Sequence, residues 1–251
     1  MVVAAVALAF VALPLVGLLA EVSWGSLVDD LTTAEAAEAL RLSLVTSLAA
    51  AGLAAVCGLP LAWVLARADL PGRSFIRGLV LLPMVLPPVV GGVALLSAFS
   101  RSSPLGGWLY DVAGVQLTFS TPGAVMAETF VALPFFVITA EGALRSMDQR
   151  FETAAAGLGA GRFVVFRRVT LPLVAPSLAA GAVLAWARAL GEFGATITFA
   201  GNIEGRTRTL PLAVYLALES DRDAAVALSL VMLAVSFAVL VALRDRWLVR
   251  T

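Results

Sequence analysis

Long apolar stretches run through the whole chain and constrain its fold more than any other feature of the sequence. Six of them lie at about 1–20, 40–66, 78–99, 121–140, 173–199 and 224–243. A helix that crosses a bilayer needs about 20 mostly apolar residues, and each stretch reaches that length. Hydrophobic residues make up 61% of the chain and charged residues 14%, whereas soluble domains have about 50% and 25%. The sequence therefore predicts a membrane protein with about six spans.

The composition of these stretches favours helices over a β-barrel. They are rich in Ala, Gly, Ser and Thr, which allow helix backbones to approach closely in lipid. A barrel would instead show alternating segments of about ten residues. We expect an all-α membrane protein whose residues 1–251 form a single transmembrane domain, because no linker or internal repeat divides the chain.

The first stretch has a second interpretation, as a cleaved signal peptide. It lacks a basic segment at its start and a clear cleavage site, so we expect it to be retained as a span. In either case the remaining loops would keep their sides of the membrane.

Basic residues are distributed unequally among the loops, which predicts the orientation of the chain. The loops between spans 2 and 3 and between spans 4 and 5, together with the C-terminal tail, contain most of the 17 basic residues: Arg67, Arg73, Arg77, Arg145, Arg150, Arg162, Arg167, Arg168, Arg244, Arg246 and Arg250. The other loops contain only Arg101, Arg206, Arg208 and Arg222. Because basic loop residues resist translocation, we expect both termini in the cytoplasm.

Missing residue types exclude several kinds of chemistry. The chain has no His, and all its basic residues are Arg. A phosphate-binding P-loop and a Schiff base both need Lys, and Ser-His or zinc-His catalysis needs an imidazole. The single Cys57 lies in an apolar stretch, where we expect it to pack, and it cannot form an intrachain disulfide or a cysteine cluster. We expect no enzymatic activity, cofactor or metal site, and a net charge of zero gives no indication of nucleic acid binding.

The loop at 141–172 is patterned unlike the others. Ser146 and Asp148 are suited to cap a short helix, and three glycines between 157 and 161 would end or bend it. A second short segment carries Phe163 and Phe166 towards the fifth span. Two short helices with aromatic side chains outside the lipid predict a surface that docks to another protein.

The same loop resembles a known cytoplasmic signature. Thr153, Ala154, Ala155, Gly159, Val169, Leu171 and Pro172 follow the spacing E-A-A-x3-G-x9-I-x-L-P of permease subunits of bacterial ABC importers. Thr153 replaces the Glu of that pattern, with Glu152 just before it, and Val169 replaces Ile. The resemblance implies a type I importer fold in which this loop, including Phe163 and Phe166, couples the spans to a separate ATPase subunit.

A second resemblance narrows the family. The segments 189–196 and 200–212 are similar to molybdate and tungstate permeases. Sulfate permeases share the Gly-Glu-Phe-Gly-Ala element at 191–195 but look less like the segment that follows. This resemblance implies inward transport of a small tetrahedral oxyanion, most simply molybdate, by a homodimer in the bacterial inner membrane. The implied partners are the ATPase subunits and a periplasmic or lipid-anchored binding protein. A sulfate or thiosulfate permease is the main alternative.

Ionisable side chains within the apolar stretches must face protein or water. Arg188 and Glu192 are spaced i, i+4 and can pair, either beside an anion pathway or as a packing device. Glu128 is expected to pair across helices with Arg188 or Arg41. An ion-coupled secondary transporter that uses Glu128, Arg188 and Glu192 as a relay is a further alternative, which the docking loop argues against.

Two further segments are candidates for transport. Pro87 and Pro88, followed by Gly91, interrupt helical hydrogen bonding in the third stretch, as a gate or as a packing kink. Together with Arg188, Glu192 and Thr196 they form our candidate pathway. In the loop 201–212, Asn202, Arg206 and Arg208 are expected to dock the binding protein; a solvated loop and direct contact with the anion are the alternatives.

Overall fold

The computed structural model describes residues 1–247, and this part of the chain is helical with no strands. Thirteen helices follow one another: α1 Val2–Ala20, α2 Leu27–Leu31, α3 Ala34–Arg67, α4 Arg73–Val85, α5 Pro88–Phe99, α6 Pro104–Ala113, α7 Thr121–Ser146, α8 Arg150–Gly157, α9 Arg162–Val165, α10 Leu171–Leu190, α11 Gly194–Phe199, α12 Leu210–Ser220 and α13 Arg222–Trp247. A π-helical turn, Phe166–Thr170, joins α9 to α10. The all-α prediction is confirmed. Arg250, used above for the orientation, lies outside the described residues.

Five helical segments are long and apolar enough to cross a membrane, and the bent pair α4 and α5 can supply a sixth. The five are α1, α3, α7, the continuous segment Arg162–Leu190 and the first part of α13. The prediction of about six spans is therefore confirmed. The orientation of the termini stays a prediction.

The third and fifth predicted spans are not straight helices. The axis turns by 118° between α4 and α5, at a break where neither Pro87 nor Pro88 has an N–H to continue the ladder and Leu86, before the first proline, takes an extended conformation. The predicted span 173–199 ends at Leu190, and α11 begins after a break at Gly191–Phe193. It also starts earlier than predicted, since α9 runs into α10 through the π-turn.

Three spans, α3, α7 and α10, form the centre of the molecule. Small side chains line their contacts, and Ala54, Ala132 and Ala185 are fully buried. At Gly58 an added Cβ would come within 2.7 Å of Phe136, so the two helices approach more closely than any larger residue allows. The prediction for Cys57 is wrong, because this side chain lies exposed on the outer surface of α3.

Candidate functional site

The two interrupted spans meet at their breaks. An added Cβ on Gly194, the first residue of α11, would lie 2.8 Å from the Cβ of Pro88, the first residue of α5. One turn further, a Cβ on Gly92 would lie 2.6 Å from the Cβ of Thr198, and Gly91 is packed against Phe130. Glycine therefore sets the distance between α5 and α11. The structure brings the predicted elements around Pro88 and Glu192 together.

Arg188, near the end of α10, forms an ion pair with Glu192 in the break that follows it. Arg188 Nη2 lies 2.6 Å from Glu192 Oε2, and Glu192 is only 1% exposed. The other carboxylate oxygen accepts a hydrogen bond from the backbone N–H of Ala195 at 2.7 Å, which satisfies a free donor in the first turn of α11. Both oxygens are thus engaged within the chain. Thr196 follows directly, fully buried, and its hydroxyl has no partner in the described part of the chain.

Glu128 does not pair with arginine, so that prediction is wrong. Its Oε1 accepts a hydrogen bond of 2.8 Å from the hydroxyl of Thr46 on α3, and its Oε2 is buried without a partner among the described residues. Arg188 is already engaged by Glu192, and no ion pair is formed by Arg41 in this part of the chain. Glu128 therefore joins α7 to α3.

Thr46 belongs to a row of small polar residues on α3 that sequence reasoning missed. Ser43 Oγ accepts a hydrogen bond from the N–H of Leu210, at the start of α12, and Ser47 Oγ accepts one of 2.9 Å from Trp186 Nε1 on α10. The three residues are buried and spaced i, i+3, i+4, which is the signal by which they were detectable. One face of α3 thus binds α7, α10 and α12 through polar contacts.

The loop 201–209 at the end of the fifth span is closed by its own hydrogen bonds. Arg208 donates to Asn202 Oδ1 at 3.2 Å and lies 3.3 Å from Glu204 Oε2, so part of its charge is neutralised. Arg206 accepts a hydrogen bond at its carbonyl oxygen from Thr121, while its side chain is exposed and forms no ion pair within residues 1–247. Of the three predicted docking residues, Arg206 presents the most available charge.

At the opposite end of α10, the loop between α7 and α10 presents large apolar side chains to the outside. Phe151, Leu158 and Phe163 are 57%, 90% and 72% exposed. The main chain turns between α8 and α9 at Gly159, whose φ of +86° favours glycine. Of the two predicted caps, Asp148 accepts a hydrogen bond from the N–H of Arg150, whereas Ser146 instead ends α7.

The motif residues of this loop divide into an outer and an inner group. Ala154, Pro172 and Thr153, whose hydroxyl donates to the carbonyl of Gln149, are exposed, and Ala155, Val169 and Leu171 are half-buried. Phe166 stacks edge-on against Trp63 of α3, with ring centroids 5.1 Å apart. Glu152 also points inward, to Arg67 and Thr170. Not all of the predicted coupling residues therefore belong to one outer surface.

Comparison with known proteins places these features in a family. Residues 54–250 match the family described as "Binding-protein-dependent transport system inner membrane component". The chain is 48% identical over 237 residues to the molybdenum transport system permease protein of Mycobacterium tuberculosis, covering 94% of this chain and 89% of that protein. It is 41% identical to the molybdenum permease of Escherichia coli K12, covering 85% and 93% of the two chains. The sulfate transport system permease protein of the same organism is 37% identical, with coverage of 88% and 80%.

Solved structures show the same fold at lower identity. A bacterial ABC transporter involved in the import of the acidic polysaccharide alginate aligns with a TM-score of 0.74 and 18% identity, covering 96% of this chain and 91% of that chain. The methionine transporter in an inward-facing conformation aligns with a TM-score of 0.59 and 17% identity, covering 83% and 94% of the two chains. The chain belongs to the family of binding-protein-dependent transport system inner membrane components.

Proposed function

We propose that this chain is the membrane-spanning permease subunit of an ATP-driven importer that moves molybdate into the cell. The choice of molybdate as the substrate rests on sequence identity, which is 48% and 41% to two molybdenum permeases and 37% to a sulfate permease. The chain itself is not an ATPase, because it has no Lys for a phosphate-binding loop. ATP hydrolysis therefore belongs to a separate subunit.

The working assembly contains two copies of this chain, ATPase subunits on the cytoplasmic side and a binding protein outside. One copy supplies five or six spans and has no internal repeat, so a second copy completes the pathway. Both termini and the loop 141–172 face the cytoplasm in this arrangement. The exposed charge of Arg206, with Asn202 and Arg208 beside it, lies on the outer face, where the binding protein delivers the anion.

The ATPase docks on the surface formed by Phe151, Leu158 and Phe163. Three large apolar side chains exposed in one loop favour a protein partner, because burying each would contribute about 1.5–3 kcal/mol to binding. A photoreactive amino acid in place of Phe163 should capture the ATPase in cells. The matched control replaces Trp108 of α6, which is 57% exposed, lies before the start of α7 and not in the loop after its end, and should capture none. No capture at Phe163, or equal capture at both sites, would exclude this docking surface.

Transport follows from a rigid connection between that surface and the spans. The helix that begins at Arg162 continues to Leu190, so a displacement of the docking loop moves α10 and the break after it. ATP binding brings the two docking loops together and opens the pathway outward, and hydrolysis returns it inward. The gate lies where Pro87, Pro88 and Gly91 meet the segment around Glu192 and Thr196.

Reconstituted complexes test the substrate and the energy source. Proteoliposomes that contain the permease, its ATPase and the purified binding protein should take up molybdate, and should do so only with ATP. Uptake of sulfate in preference to molybdate would support the second candidate. Uptake without the ATPase, abolished by collapsing the ion gradient, would instead support the relay of Glu128, Arg188 and Glu192.

A further inference from the structure

Glu152 lies in the docking helix α8 but does not face outward with it. Its Oε1 accepts a hydrogen bond of 2.6 Å from the hydroxyl of Thr170, and its Oε2 lies 3.3 Å from Arg67 Nη2. The side chain of Glu152 is only 20% exposed and that of Arg67 14%, and Thr170 is fully buried. One carboxylate on α8 therefore contacts two other segments of the chain, the end of α3 and the π-turn.

Each of these segments has its own mechanical role. Arg67 is the last residue of α3, which binds α7, α10 and α12 through its polar row. Thr170 ends the π-turn, in which Leu171 N–H bonds the carbonyl of Phe166 five residues earlier. Such insertions occur frequently at functional sites. The guanidinium of Arg67 also lies 5.9 Å from the ring centroid of Trp63, which packs against Phe166.

We propose that Glu152 is a positioning residue that latches the docking helix to α3 and to the π-turn before α10, so that both spans move with the ATPase. This inference rests on the proposed function and goes beyond it. Thr153, and not the carboxylate beside it, occupies the motif position on the outer surface. The carboxylate of Glu152, one residue before that position, makes internal contacts instead.

A second ionic cluster nearby provides the control. Glu141 of α7 pairs with Arg77 of α4 and, at 3.4 Å, with Arg145. It also connects helices at the same end of the molecule, but it does not include α8. Breaking it should lower stability without releasing the docking helix, whereas breaking the Glu152 cluster should release it.

The experiment measures ATP hydrolysed per anion imported, in proteoliposomes with the complete complex and loaded binding protein. The variants are Thr170→Val, which removes the hydroxyl at nearly constant shape, Thr170→Ser, which keeps it, Glu152→Ala, and Arg77→Gln as the control. Losing a hydrogen bond to a carboxylate should raise the ratio about threefold to tenfold in Thr170→Val. Thr170→Ser and Arg77→Gln should remain near the parent ratio.

Co-purification of the ATPase separates the possible failures. The inference requires the ATPase to remain bound in Thr170→Val and Glu152→Ala while coupling is lost. An unchanged ratio, a similar increase in Arg77→Gln, or loss of the ATPase from Glu152→Ala would each overturn it; the last result would assign Glu152 to the docking face. A parent permease that binds no ATPase would refute the proposed function instead. If Glu152→Ala does not fold, the comparison of Thr170→Val with Thr170→Ser still decides the question.

Discussion

Replacing Arg188 by Met should destabilise the permease strongly, because it leaves the carboxylate of Glu192 buried without its counter-charge. Glu192 is 1% exposed, and its remaining contact would be the N–H of Ala195. Removing one partner of a buried ion pair costs about 3–5 kcal/mol in the free energy of unfolding. The double variant Arg188→Met/Glu192→Gln removes both charges, and its amide oxygen can still accept from Ala195. We expect it to lie within about 1 kcal/mol of the parent.

Reversible unfolding of the purified protein in mixed detergent micelles would measure these differences. The prediction is the order of stability: the parent and the double variant close together, and Arg188→Met well below both. Glu192→Gln alone should fall between them, since an unpaired Arg188 is 27% exposed and can be reached by water. Equal stabilities of Arg188→Met and the double variant would refute the reasoning, because the carboxylate would then have no dependence on its partner.

Uptake by the double variant decides between the two interpretations of this pair. If Arg188 and Glu192 only hold the break in place, the stable double variant should transport molybdate at a rate close to that of the parent. If Arg188 meets the passing anion, the double variant should be folded, assembled with the ATPase and inactive. The geometry favours the first result, since both carboxylate oxygens and the guanidinium are already engaged within the chain.

Two glycine comparisons test the geometry at the gate and in the docking loop. Gly194→Ala should lower the free energy of unfolding by about 1–3 kcal/mol through overpacking, since its Cβ would lie 2.8 Å from a carbon of Pro88. The control Gly191→Ala meets nothing closer than 3.8 Å and should be tolerated. Equal melting temperatures of the two variants would contradict the close approach of α5 and α11. Gly159→Ala should reduce molybdate uptake, since φ is +86° there and the docking loop would be strained, while the matched Gly161→Ala, at φ −67°, should not. Normal uptake by Gly159→Ala would count against that turn.

Sequence reasoning was most successful where a property is local. The spans α1, α3, α7 and α13 follow from length and hydropathy alone, because an unbroken helix of about 20 apolar residues is long enough to cross a bilayer. The short helices α2, α6 and α12 were not predicted, since they are too short to be recognised by that criterion. The break at Pro87 and Pro88 was predicted from the missing N–H groups, whereas the size of the turn, 118°, was not.

Among the polar contacts, too, those between residues close in sequence were predictable and those between separate helices were not. The pair Arg188 and Glu192 was predictable because residues spaced i, i+4 remain neighbours through the turn that ends α10. Glu128 was assigned to an arginine because charge is the obvious partner for charge, whereas the fold places the hydroxyl of Thr46 against it. A partner on another helix depends on the rotation and depth of both helices, and neither is encoded in the spacing along one of them.

Glu152 in the docking loop is a further case in which contacts between segments could not be predicted from the spacing of residues along the chain. A motif states only which residue type occupies each position. By that criterion Thr153 does not match the Glu of the motif, and Glu152 lies one residue before the matching position. The two neighbours point in different directions, because successive residues of a helix are rotated by about 100°. Thr153 is exposed, whereas Glu152 is turned towards the interior. Glu152 reaches Arg67 and Thr170 for that reason. A one-residue change in a motif on a helix therefore changes which molecule a charge contacts, and a Thr153→Glu variant would have two carboxylates, one on each side of α8.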